Sequence, residues 1–155
     1  MDVRLWRWNA QRAGMMNNLL VAVGSAVGGL ARFVVGAWLQ RRMDDWAPRA
    51  NAPHFLPFPI GTLLVNVSGS FLLGVILVVV ARQGAHANAT RLLLAVGLCG
   101  GYTTFSTFSA DTMGLMENGG GGLAMLNIVA SVVLALLAVL AGASVARLVI
   151  GRLAC

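Results

Sequence analysis

Apolar and polar positions in this chain fall into long blocks rather than alternating at helical or strand spacing. Four blocks are almost wholly apolar, at residues 19–39, 60–81, 92–116 and 123–145. Each matches the roughly 20 apolar residues that an α-helix needs to cross a hydrocarbon layer. A spanning segment must satisfy its backbone groups internally, so unbroken apolar blocks of this length predict helices. The polar blocks between them are connections. Residues 40–59 are charged and carry all four prolines (Pro48, Pro53, Pro57 and Pro59), which predicts a loop. Residues 82–91 read as a short polar link and glycines 119–122 as a flexible turn. The predicted fold class is an all-α membrane protein with four transmembrane helices, forming one domain over residues 18–150. Residues 1–17 read as a basic, tryptophan-containing extension on the membrane surface. No small-residue cleavage pattern precedes the first apolar block, which argues against a removed signal peptide.

Exceptions inside the apolar blocks carry more information than the blocks themselves. In the first, Gly24 and Gly28 form a small-xxx-small pair that lets another helix backbone approach closely. The third is interrupted. Cys99 and Gly100 lead into Gly-Tyr-Thr-Thr-Phe-Ser-Thr-Phe-Ser at residues 101–109, where paired glycines and clustered hydroxyls weaken a regular helix. Such a break in mid-membrane is tolerated only against protein or a water-filled cavity. Polar side chains inside spans need a partner or a cavity as well. Asn66 reads either as interhelical glue or as a donor on an ion path. Ser68, Ser70 and Ser131 lean towards bonding back to their own helices, and Asn127, near a span end, reads as solvated. Arg32 either snorkels to the interface or supplies a fixed positive charge that draws anions into a vestibule. Asp111 is placed to meet an arginine or to cap a broken helix. Phe105 and Phe108, three apart, share a helix face, and their ring edges carry partial positive charge.

Composition narrows the function classes. The chain has 155 residues, of which 58% are hydrophobic and only 10% charged. That leaves no room for a soluble catalytic domain, and an enzyme is not expected. The net charge of +6 is carried entirely by arginine, placed mostly at span ends, which suits lipid headgroups rather than nucleic acid. His54 and His86 lie in connections without metal-ligand neighbours, and Cys99 and Cys155 make no disulfide framework. Four spans put both termini on one side, with Arg4, Arg7, Arg12, Arg82, Arg91, Arg147 and Arg152, against Arg41, Arg42 and Arg49 on the other. Positive-inside bias then favours cytoplasmic termini, but without the extension it almost vanishes, so the core is predicted to insert both ways.

Three stretches resemble the fluoride channel family called Fluc or CrcB. They are Val-Gly-Gly-Leu-Ala-Arg-Phe at residues 27–33, Gly-Thr-Leu-Leu-Val-Asn at 61–66, and Thr-Thr-Phe-Ser-Thr-Phe at 103–108. The resemblance implies a fluoride-selective passive channel in the cell membrane that exports fluoride and protects against its toxicity. It implies an antiparallel, dual-topology homodimer with two pores, surrounded by lipid. Phe105 and Phe108 match pore-lining phenylalanines, Asn66 the asparagine of the fluoride path with Thr62 one turn before it, Ser131 a hydroxyl of a polar track, and Arg32 the vestibule arginine. Gly100 and Thr103 match backbone positions that hold a structural Na+ at the dimer interface; no organic cofactor is implied. Asp111 stands where glutamate is expected and Asn127 where many members have tyrosine. Two rivals remain from the residues alone. A small proton-coupled exporter wants a carboxylate in the middle of span 1, where Arg32 is the only charge. A membrane assembly factor would use the same polar groups as helix glue.

Overall fold

A computed structural model describes residues 3–46, 58–84 and 87–153, with side chains over 14–42, 58–84 and 87–152. Helix α1 (Val3–Trp46) is followed by α2 (Ile60–Val80). The third span begins as α3 (Ala87–Thr90), passes through a π-helical run (Arg91–Cys99) and ends its first half in α4 (Gly100–Tyr102). Its second half is α5 (Phe105–Glu117), and α6 (Gly121–Leu153) completes the chain. Among the described residues four segments are long and apolar enough to cross a membrane: Gly14–Arg42, Ile60–Val80, Ala87–Glu117 and Gly121–Arg152. The four-span reading with a broken third span therefore holds.

Two boundaries differ from those expected. Helix α1 continues to Trp46, so the loop expected from residue 40 begins later. Charged residues at 41–45 end an apolar block but do not end a helix, since arginine and methionine are good helix formers. The link expected at 82–91 is shorter, because helix resumes at Ala87. His54, His86 and Cys155 lie outside the described residues, and the side chains of Arg4, Arg7 and Arg12 lie outside those described.

Glycines set the close helix contacts. A Cβ on Gly24 would sit 2.9 Å from the Gly97 Cα, and one on Gly28 would sit 2.8 Å from the Tyr102 nitrogen. The small-xxx-small pair thus receives the first half of span 3, and Gly97 answers Gly24 from the other side. Helices α2 and α6 use the same device: a Cβ on Gly74 would lie 2.9 Å from the Ala143 nitrogen, and one on Gly142 3.0 Å from the Phe71 carbonyl carbon. Without a hydrophobic force between helices in lipid, such backbone approach is what van der Waals packing depends on.

The turn at 119–122 is a helix stop with defined bonds. Gly119, at φ 78°, donates to the Met116 carbonyl, and the Gly120 N–H reaches the Leu115 carbonyl. This is a Schellman motif, in which a glycine takes the left-handed position and satisfies the last carbonyls of α5.

Candidate functional site

The break in span 3 organises the site. Thr103 (φ −80°, ψ 155°) and Thr104 (φ −149°, ψ 119°) are extended between α4 and α5. In a continuous helix the Thr104 N–H would bond the Gly100 carbonyl. Here it donates to the Asn66 Oδ1 at 2.7 Å, and the Asn66 Nδ2 donates to the Thr104 carbonyl at 3.1 Å. One side-chain amide on α2 thus takes the N–H bond that Thr104 gives up and adds a donor to its carbonyl, which as the N-cap carbonyl of α5 also accepts the first bond of that helix. The Thr104 hydroxyl then caps α5 by accepting from the Thr107 N–H at 3.2 Å. Thr103 turns its hydroxyl back onto the Cys99 carbonyl at 2.9 Å.

A cavity of about 350 Å³ opens beside this break. Asn66, Gly100, Thr103, Phe105, Phe108 and Ser131 all line it. The two phenylalanine rings lie 5.3 Å apart at 47° to each other. They are unequally covered: Phe108 is 9% exposed and Phe105 78%. Cys99 lies in the same wall as a buried free thiol.

A second cavity, of about 630 Å³, is lined by Arg32, Thr62 and Asp111, among others. Among the described residues Asp111 meets no arginine within bonding distance and caps no helix; its carboxylate accepts from the Thr62 hydroxyl at 2.7 Å. Ser106, Thr107 and Gln40 share this wall. Thr104 lines both cavities and stands between them. The eight residues singled out from sequence therefore divide into six around the smaller cavity and two, Arg32 and Thr62, in the larger.

Behind the smaller cavity lies a buried polar chain. The Ser131 hydroxyl donates to the Asn127 Oδ1 at 3.4 Å, the Asn127 Nδ2 donates to the Thr112 Oγ1 at 2.9 Å, and the Thr112 hydroxyl donates to the Phe108 carbonyl at 2.7 Å. Two expectations are corrected here. Asn127 is 2% exposed rather than solvated, because α6 starts early enough to bring it between α5 and α6. Ser131 bonds a side chain, not its own helix backbone. Ser68 does bond back, to the Val65 carbonyl at 3.1 Å. Sequence reading missed Thr104 as the residue between the cavities, and also Thr112; the spacing of Thr112 from Phe108 was the available signal for the second.

The break also frees carbonyl oxygen on its other side. Asn66 takes the N–H that the Gly100 carbonyl would otherwise receive, and open space surrounds the Gly100 Cα. Among the described residues no group of three or more His, Cys, Asp or Glu is placed to hold a metal, so a cation here would rest on backbone oxygen, which suits a hard ion.

The sequence matches the family model described as CrcB-like protein, Camphor Resistance (CrcB), over residues 19–143. It is 42% identical over 133 residues to the fluoride-specific ion channel FluC of Agrobacterium fabrum, covering 86% of this chain and 98% of that protein. It is 44% identical over 133 residues to the protein of the same name from Rhizobium leguminosarum bv. trifolii, again covering 86% of this chain and 98% of the relative. A FluC of Methylococcus capsulatus is 44% identical over 135 residues, and the match spans 54% of its length.

Proposed function

This chain belongs to the CrcB family of multi-pass membrane proteins, and from that membership we propose that it is a fluoride-selective passive channel, not an enzyme. HF crosses membranes and ionises in a less acid cytoplasm, so the trapped anion needs a path out along its electrochemical gradient. The carrying observation is that Asn66, Phe105, Phe108 and Ser131 meet at one cavity beside a helix break. Fluoride is small and holds its water tightly, so a path must replace that water with donors. A primary amide has two N–H groups; Asn66 gives one to Thr104, and the other is left for an anion. The ring edges of Phe105 and Phe108 and the Ser131 hydroxyl add weak donors, and the N-terminus of α5 adds its partial positive charge. None is a full cation, so binding stays weak enough for release, as conduction requires. Arg32 and Thr62 would act earlier, in the larger cavity, where the guanidinium draws anions in.

The same reading extends to assembly. The 78% exposure of Phe105 leaves half of the ring-edge pair uncovered in one subunit, which favours completion by a second copy. We place that copy antiparallel, in keeping with the near-balanced arginines of the core, with a structural Na+ between subunits on carbonyl oxygens at Gly100 and Thr103. Bound there, the ion would neutralise carbonyl dipoles that the break leaves without N–H partners.

The test is ion efflux from liposomes loaded with potassium fluoride or potassium chloride, with valinomycin carrying the counter-charge. Rapid fluoride release without chloride release is expected. Folded, reconstituted protein that releases neither ion overturns the channel reading.

A further inference from the structure

The polar chain behind the Phe108 wall has only one possible direction. The Phe108 carbonyl can only accept, so the Thr112 hydroxyl must spend its proton there. Thr112 Oγ1 must then accept from Asn127, which fixes the amide with its nitrogen towards Thr112 and its oxygen towards Ser131. An amide oxygen cannot donate, so in the contact between them Ser131 is the donor and Asn127 the acceptor. A serine proton given to Asn127 is not offered to the cavity that Ser131 lines. In that state Ser131 has no proton to give an anion.

The bonds in the chain are not equal. Those at Thr112 are 2.7 and 2.9 Å, whereas the one from Ser131 is 3.4 Å, beyond the usual O–H···O range. The chain is firm at its closed end and loose at the end that meets the cavity. Resting on the fluoride-channel reading above, we propose that Asn127 is a positioning residue that parks the Ser131 hydroxyl, which turns from the Asn127 oxygen to the anion when the Phe-lined cavity fills. Asn127 itself stays behind the wall: it is 2% exposed and does not line the cavity, whereas Ser131 does. Thr112 fixes the amide so that its oxygen, never its nitrogen, faces the serine. Without that acceptor, Ser131 has the carbonyl of residue 127 one turn back on its own helix as the nearest alternative, and a hydroxyl bonded there is withdrawn from the cavity.

The test is a double-mutant cycle on fluoride efflux with Asn127→Leu, Ser131→Ala and the pair together. Asn127→Leu should slow efflux about tenfold when Ser131 is present and less than twofold when it is already alanine, because the effect passes through the serine. The milder Thr112→Val, close in shape to threonine, should follow the same pattern if the leucine variant does not fold. Equal losses in both backgrounds would show that Asn127 acts as packing alone and overturn the proposal. A second readout does not need flux: the side-chain amide resonances of Asn127 in ¹⁵N-labelled protein should shift on adding fluoride, in the direction that Ser131→Ala shifts them without it. If wild-type protein carries no fluoride, the channel reading fails on its own account. Asn127 resonances unmoved by Ser131→Ala would then overturn the parking bond independently.

Discussion

At the scale of single residues, the site depends on groups that each do two things. Asn66 clamps the break and, on the proposed function, keeps one N–H for the path, so its loss should damage fold and function together. Asn66→Leu leaves the Thr104 N–H without its partner and removes one donor from the Thr104 carbonyl. A buried N–H left unpaired costs about 1–3 kcal/mol. The variant should lose fluoride efflux and melt well below wild type in a detergent thermal-shift assay. The two phenylalanines should separate these effects. Phe105 is mostly exposed in the subunit, so Phe105→Ile should leave subunit stability nearly unchanged while abolishing efflux. Phe108 is buried, so Phe108→Ile should abolish efflux and also cost on the order of 1 kcal/mol through imperfect packing. Equal stability losses at the two positions would mean that the rings are equivalent structural residues. Asn66, Phe105 and Phe108 were legible in the sequence as candidates, because amides and paired rings beside a glycine-rich break are unusual in lipid, and the structure brings the three to one cavity. Asn127 was not, because nearness to a span end is a poor guide to burial when a neighbouring helix covers the position.

At the scale of elements, packing between helices depends on where a backbone must come close. The Gly24 and Gly28 pair was visible at its spacing, and the structure supplies its counterpart in Gly97 and Gly101. The Gly74–Gly142 contact was less legible: Ser70 precedes Gly74 by four, and Ala138 and Ala146 flank Gly142 at the same spacing, but small residues recur so often along α6 that the spacing singles out no one face. Gly28→Ala should therefore force α1 from span 3, at a cost of about 1–3 kcal/mol from overpacking. Gly29→Ala, where a Cβ meets nothing within 4 Å, should be tolerated on this chain and serves as the control. Thermal melting of both variants in the same detergent checks the contrast; similar melting points would show that the helices yield at Gly28. The break itself was legible in residues 100–109, but the π-helical run before it was not. Its residues, Arg91–Cys99, are leucine-rich and would read as an ordinary α-helix, because no local pattern distinguishes a donor five residues on from one four residues on. The extension of α1 past residue 40 escaped notice for a related reason: polarity marks where a helix leaves the membrane, not where it stops being a helix.

At the scale of the whole molecule, orientation follows from a small charge difference. The link and the C-terminal end contribute Arg82, Arg91, Arg147 and Arg152, opposed by Arg41, Arg42 and Arg49, so the core is nearly balanced. Arg4, Arg7 and Arg12 of the extension tip the full chain towards cytoplasmic termini. An antiparallel pair needs both orientations, which makes the two halves of the charge pattern testable against each other. Extra arginines in the 82–91 link should fix one orientation, and replacing Arg82, Arg91, Arg147 and Arg152 by glutamine with arginines added after residue 42 should favour the other. Each biased chain alone should lose fluoride resistance when expressed in a fluoride-sensitive host, because all its copies face one way. Expressed together, the two should restore resistance, each supplying the orientation that the other lacks. A chain shown by terminal tagging to face one way only, yet conferring full resistance by itself, would rule out the antiparallel pair. Its exposed Phe105 would then have to be covered by a parallel neighbour or by lipid.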